Sequence, residues 1–287
     1  MSDDTAGPEA ASRPLRTSPV TLSQALATDG VRRVILSASY LFCLVSSLAA
    51  FGVIDDQVPT LSAVFSPTAS LLAAAAPADR LWWVVMVGLG TYPIWMWLPT
   101  SANQERGRAI AYPSSVAMAL LGIWFFVVRG SDLVVATVAS CAVLVALIWA
   151  LHVADKVPSR HFLDRLFTQF GLAATLGWMT VLTAEALAAA LVAHHAQAVY
   201  VSAETWGILA VTALLGFGMA LLRHLPGRLY IASAMAWGLL WIAYERVLGT
   251  PRSYALGVVA LVSALLVLVA GVAVFLWARG RVRERVS

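Results

Sequence analysis

Few residues in this chain are able to do chemistry, and the most conspicuous is a carboxylate. Glu185 stands inside GWMTVLTAEALAAALVAHH, residues 177–195, a run otherwise apolar and long enough to cross a bilayer. A charge at that depth is costly, so such a group normally faces protein, water or a partner. Glu185 suits three roles: accepting from a buried donor, pairing with a cationic group of a ligand, or sitting protonated. The plainer alternative is a hydroxyl partner on a neighbouring helix, which would make Glu185 structural. Trp178 precedes it by seven residues, two helical turns and about 10 Å along one face.

Other groupings fail on spacing. His194 and His195 are adjacent, so on a helix they diverge and cannot chelate one ion as an i, i+4 pair would. His152 is a lone histidine near Trp149. Cys43 and Cys141 lie in apolar runs without ligand or disulfide spacing and read as small core residues. Glu245, beside Arg246 near the end of its run, reads as a snorkelling surface group. There is no Gly-rich phosphate loop, no nucleophile elbow and no pair of carboxylates on a shared face. No residue set supplies nucleophile, base and stabiliser together, so neither an enzyme nor a metal site is expected.

The elements that hold these residues follow from composition. Of 287 residues 60% are hydrophobic and 12% charged, with a mean hydropathy of +0.82; soluble domains carry about a quarter charged residues. Eight apolar runs have spanning length: 34–54, 81–98, 109–128, 133–153, 166–193, 206–222, 229–248 and 256–277. They are continuous rather than alternating, which selects helices over a barrel. The expected fold is an all-α integral membrane protein, a polytopic bundle of about eight transmembrane helices. Ahead of them lies a polar tail, read as disordered to about Pro19, then a capping-box spacing from Thr21 to Gln24. No cleaved secretory signal is evident. The connection 55–80 carries Asp55, Asp56 and Asp79 together with LSAVFSPTASLLAAAA, too short to span and broken by Pro67. It is expected to lie at the interface or dip into the outer leaflet and cover what opens there.

Eight spans put fifteen of the nineteen Lys and Arg residues on one side, leaving Arg80, Arg129, Arg246 and Arg252 on the other. The positive-inside rule then places both termini in the cytoplasm. An Arg-dominated basic set, with Lys156 the only lysine, and many Ala, Val and Leu suggest a high-GC bacterium, hence its cytoplasmic membrane. Topology accounts for the basic loops without nucleic acid.

Eleven tryptophans stand out. Trp82, Trp206 and Trp277 fall at run ends, where indoles anchor at the headgroup level. Trp124, Trp149, Trp178, Trp237 and Trp241 lie deeper, to pack the bundle or line a cavity. Trp237, Trp241, Tyr244 and Leu248 share one helical face. Thr212, Gly216 and Ala220 form a small-xxx-small face, suited either to internal packing or to a homodimer seam. The last run is apolar nearly all round and is expected at the lipid-facing edge.

The order of RLWWVVMVGLGTYPIWMWLPTSANQERGR, AMALLGIWFFV and GLAATLGWMTVLTAEALAAAL resembles helices two, three and five of the tryptophan-rich sensory protein family, that of the translocator protein or peripheral-type benzodiazepine receptor (TspO/MBR). The stretch ETWGILAVTALLGFGMALLRHLPGRLYIASAMAWGLLWIAYE is similar to three extra helices of its long bacterial members. The resemblance runs over about 34–277 and implies a division into a tail (1–33), a five-helix core (34–193), a three-helix extension (194–278) and a basic tail (279–287).

It further implies a cavity binding porphyrins, sterols and related hydrophobic ligands. Carried over by position, Trp83 opens the second helix, Trp124 belongs to the Asn-x-x-Trp pattern of the third and Trp178 to the fifth. Together with Glu185 these are the expected ligand-binding residues. A tetrapyrrole is the expected ligand, and no resident cofactor is implied. The sequence departs from the pattern at Leu121 and Ala186, where asparagines are expected, and at Gly171 and Thr175, which replace Pro and Tyr. These changes remove polar groups that would orient a ligand. A binding or sensory protein is therefore expected, with a non-catalytic accessory or scaffold protein and a small-molecule transporter as alternatives; the chain shows no two-half repeat of the transporter kind.

Overall fold

The computed structural model describes residues 22–54, 60–66, 68–98, 105–130, 132–157, 162–194 and 202–284. The tail before residue 22, His195, Asp55, Asp56, Pro67 and Arg160 lie outside them. The described residues form eight long helices and one short one: α1 (Leu22–Ala50), the single-turn α2 (Leu61–Val64), α3 (Leu81–Trp97), α4 (Glu105–Arg129), α5 (Leu133–Lys156), α6 (Phe162–Ala193), α7 (Ala203–His224), α8 (Arg228–Leu248) and α9 (Tyr254–Glu284). A 3-10 turn, Ala76–Arg80, runs straight into α3.

The protein is an all-α membrane protein. Six of its helices, namely α1, α4, α5, α6, α7 and α9, are long and apolar enough to cross a membrane on their own. The other two expected spans differ for separate reasons. Helix α3 has 17 residues, about 26 Å of helix against a hydrocarbon core of about 30 Å. Helix α8 carries Arg228, Glu245 and Arg246. Both are held by neighbours, α3 by α6 and α1, α8 by α6 and α9.

Helices α1, α4, α5, α6 and α3 each touch the next, and α3 closes back on α1, giving a ring of five. Helix α8 leans on α6 from outside and packs most closely on α9, which also carries α7. Small residues set the closest crossings. A Cβ on Gly171 would sit 2.4 Å from the Gly88 carbonyl carbon, and one on Gly177 would sit 2.4 Å from the Ile231 carbonyl oxygen. These glycines bring α3 and α8 against α6, which buries much of its length.

At the end of the ring carrying Arg106, a polar knot joins three helices. Asp164 Oδ1 accepts from Trp95 Nε1 at 3.2 Å, and its Oδ2 lies 3.9 Å from Arg106 Nε. Arg106 also donates to the Val157 carbonyl and to Thr168 Oγ1, while Tyr92 donates to the Gly107 carbonyl at 2.7 Å. Arg106 and Asp164 are both buried. The opposite end is closed differently, by the 60–80 segment.

Several expectations for single residues change. Cys43 is buried as expected, but Cys141 is exposed on the outer face of α5. Trp149 also turns outward, at 47% exposed. The Thr212, Gly216 and Ala220 face of α7 is exposed, and a Cβ on Gly216 would meet nothing within 4 Å. Among the described residues that face is therefore not used for internal packing. Helix α9 buries Leu256, Ala260, Ala264 and Val267 and exposes Val258, Leu265 and Val269, the edge position expected of it.

Candidate functional site

Helix α6 carries the two predicted residues that the fold brings together. Trp178 and Glu185 share a face and line one closed chamber with Leu182, Phe65 of the turn after α2, and Ala74 to Asp79 of the segment before α3. The chamber measures about 20 Å3, where a void of about 10 to 15 Å3 admits a water molecule. It is far too small for a tetrapyrrole or a sterol.

A cluster of aromatic rings adjoins the chamber through Trp178 and Phe65. The Trp82 centroid lies 4.8 Å from Phe125, 5.8 Å from Trp124 and 6.3 Å edge-on from Trp178, and Phe65 stacks on Trp124 at 6.4 Å. Offset and edge-to-face contacts at such distances suit the ring quadrupoles. Trp82, Trp124 and Trp178 are all fully buried. Trp124 meets the chamber only through its ring contacts with Phe65 and Trp82 and is not among the residues that line it.

Trp83 lies apart. It is 52% exposed and stacks on Phe51 at 5.8 Å, outside the cluster. Its neighbour Trp82, expected as a headgroup anchor, takes the interior place instead. The correction follows from helical phase: adjacent residues point about 100° apart, and Trp82 shares the buried face of α3 with Val85, Met86 and Leu89. Trp206 is exposed in the first turn of α7, and Trp277 is exposed about two turns before the end of α9.

The chamber is roofed by the apolar segment of the long connection. Leu72, Ala73, Ala74, Ala75 and Ala78 are buried, so the segment packs onto the end of the ring and covers it. Three ties hold it. The Ala75 amide donates to the Trp241 carbonyl at 3.3 Å, Trp237 Nε1 donates to the Ala78 carbonyl at 2.9 Å, and the Ala74 backbone hydrogen-bonds the Glu185 carboxylate. The Trp237, Trp241, Tyr244 stripe on α8 is accordingly a backing for this strap, its rings edge-to-face at 5.7 and 5.3 Å.

Polar groups at the chamber are incompletely satisfied. Glu185 is 2% exposed, and its Oε1 has no hydrogen-bond partner among the described residues. The same holds for the indole N–H groups of Trp82, Trp124 and Trp178. Asp79 enters from the strap, and burial pushes its carboxyl up to about 6. Arg246, fully buried near the end of α8, donates to the Pro251 carbonyl at 3.0 Å and lies within electrostatic reach of Glu185. Where the sequence pattern departs from the resembled family, Leu121 and Ala186 are fully buried and Thr175 donates to the Gly171 carbonyl at 2.6 Å. Apolar side chains and a self-satisfied hydroxyl thus stand where polar groups are expected.

Sequence reasoning missed three contributors: Phe65, Trp82 and Asp79. Asp79 is legible only as one more acid of a loop, and Phe65 as part of an apolar run. Nothing in the sequence folds that loop back onto α6.

The arrangement is that of a polytopic helical membrane protein with a closed, aromatic, acid-bearing chamber at one end of a five-helix ring. A family model described as TSPO-like protein matches residues 33–275. The chain belongs to the TSPO-like protein family, and so, in general terms, to the ligand-binding and sensory proteins of membranes. No curated protein and no solved structure matches it.

Proposed function

We propose that this protein binds a hydrophobic ligand of the tetrapyrrole or sterol kind beneath the 68–80 strap, with Trp82, Trp124, Trp178 and Glu185 as its contacts. The observation that carries the reading is the unpartnered, buried Glu185 Oε1 in a chamber also lined by Trp178, whose indole N–H is unpartnered too. Each such group costs about 1 to 3 kcal/mol if left unsatisfied, and native interiors rarely leave one without a reason. A ligand bringing a hydroxyl or similar polar end among them relieves that cost.

The chamber has room for about one water molecule, so a tetrapyrrole or sterol enters only when the strap withdraws from α6 and α8. The strap is held by a few hydrogen bonds and small alanine side chains, which suits such a movement. Charge distribution supports a bacterial cytoplasmic membrane with both termini inside, and therefore a strap on the outer side. The division into a five-helix core and a three-helix extension is part of the same reading.

The smallness of the chamber favours a second reading, a non-catalytic accessory protein that keeps the fold. A titration separates them: purified protein in detergent is titrated with protoporphyrin IX and haem, following tryptophan fluorescence, beside Trp178→Phe and Glu185→Gln. Saturable quenching weakened in both variants supports the ligand site. Quenching that is absent, or indifferent to both changes, leaves the accessory reading.

A further inference from the structure

We infer that the seam between α6 and α7 is a lipid site that holds an acyl chain of a membrane phospholipid. The seam contains a groove of about 510 Å3, within the range of about 300 to 1,000 Å3 typical of ligand pockets. It lies on a different face of α6 from the chamber. Thr180, Ala184, Leu187 and Leu191 line the groove, whereas Trp178, Leu182 and Glu185 line the chamber.

The groove exists because α7 is carried by α9 and α8 rather than by α6. Alanines face each other across the gap, Ala184 and Ala188 on α6, Ala210 and Ala213 on α7, without closing it. In water such an apolar gap would collapse or stay dry. In a bilayer, lipid tails are as apolar as leucine, so nothing drives the two helices together and a chain can occupy the space.

Three features select an acyl chain. The groove is open to the side, since Leu187, Leu191, Trp206 and Phe217 on its walls are 42 to 49% exposed. Its hydroxyls are already spent: Thr180 donates to the Leu176 carbonyl and Thr183 to the Met179 carbonyl, each at 2.7 Å, and Ser70 Oγ accepts from the Leu72 amide at 3.3 Å. No ionisable side chain lines it, so a polar occupant would leave its own groups unpaired, at a cost of about 1 to 3 kcal/mol each. Finally, Trp206 sits in the first turn of α7, where an indole marks the headgroup level; the ester end of the lipid belongs there, with the chain running down toward Phe217.

The full chain, reconstituted in phosphatidylcholine vesicles with a trace of phosphatidylcholine bearing a photoactivatable diazirine on one acyl chain, is irradiated and its adducts mapped by mass spectrometry. Labelling on Leu187, Leu191, Ala210 and Phe217 is expected several-fold above that on the equally lipid-facing Val258 and Leu265 of α9. Filling the groove with Ala184→Phe and Ala210→Phe is expected to bring it down to the α9 level. Equal labelling of groove and α9 in the unaltered chain overturns the proposal, whether or not the double variant folds. So does a groove that stays unlabelled while α7 cross-links to α7 of a second copy, or labelling that protoporphyrin IX removes.

Discussion

Asp79 and Glu185 line the same water-sized chamber, one from the strap that precedes α3 and the other from the C-terminal half of α6. The strap therefore brings an acid to an acid. Asp79 has an ordinary carboxyl value of 3.8 and is raised by burial to about 6. Between those values the folded chain keeps a proton that the unfolded chain has lost, so stability falls as pH rises through about 6 and is greatest near the lower value. Thermal unfolding in detergent between these pH values should show that slope, and Asp79→Asn should flatten it. An unchanged slope in the variant would remove Asp79 from the chamber.

Trp82→Ala and Trp83→Ala should behave differently although the residues are adjacent. Trp82 is fully buried against three rings, and losing a buried aromatic costs about 3 to 5 kcal/mol. Trp83 lies half exposed with a single stacking partner, where about 0.5 to 1.5 kcal/mol is at stake. Comparing the two by denaturant or thermal melts tests the rotation of α3.

Gly171→Ala places a methyl 2.4 Å from the Gly88 carbonyl carbon, a backbone atom that cannot swing aside. Overpacking of this kind costs about 1 to 3 kcal/mol. Gly216→Ala meets nothing within 4 Å and should gain up to about 1 kcal/mol from helix propensity. A melting temperature lowered by both changes, or by neither, would contradict the α3 to α6 crossing.

Asp164→Ala should be among the most damaging substitutions at the other end of the bundle. It deprives buried Arg106 of its counter-charge and Trp95 of its acceptor, and breaking a buried pair costs about 3 to 5 kcal/mol. Asp164→Asn keeps an acceptor for Trp95 and should lose less. Equal losses would mean that the acceptor for Trp95 contributes nothing and that the lost charge accounts for the whole effect.

Much of the architecture can be read along the chain. The limits of α5 to α8 fall within a few residues of the hydrophobic runs, because spanning length and apolarity are properties of consecutive residues. The expected eight-helix bundle and the family are both present. Glu185 is legible as a site residue for the same reason: a carboxylate in an apolar run is anomalous wherever the run is placed. Trp124 and Trp178 are legible through their order along the chain.

The rest depends on what lies beside each helix. Trp82 and Trp83 are equivalent in sequence, and only the packing of α3 against α6 and α1 decides which one enters the core. Asp79, Phe65 and the alanines of the strap gain their meaning when a loop folds back on a helix more than a hundred residues later, held by the Trp237 and Trp241 backbone and side-chain contacts of α8. The chamber volume and the open seam beside α7 are likewise differences between packed surfaces. Sequence determined which segments enter the membrane and which single group is out of place there, since that free energy accumulates residue by residue. Tertiary structure decided which rings face inward and where space remains, since packing depends on pairs of surfaces that the chain brings together only when folded.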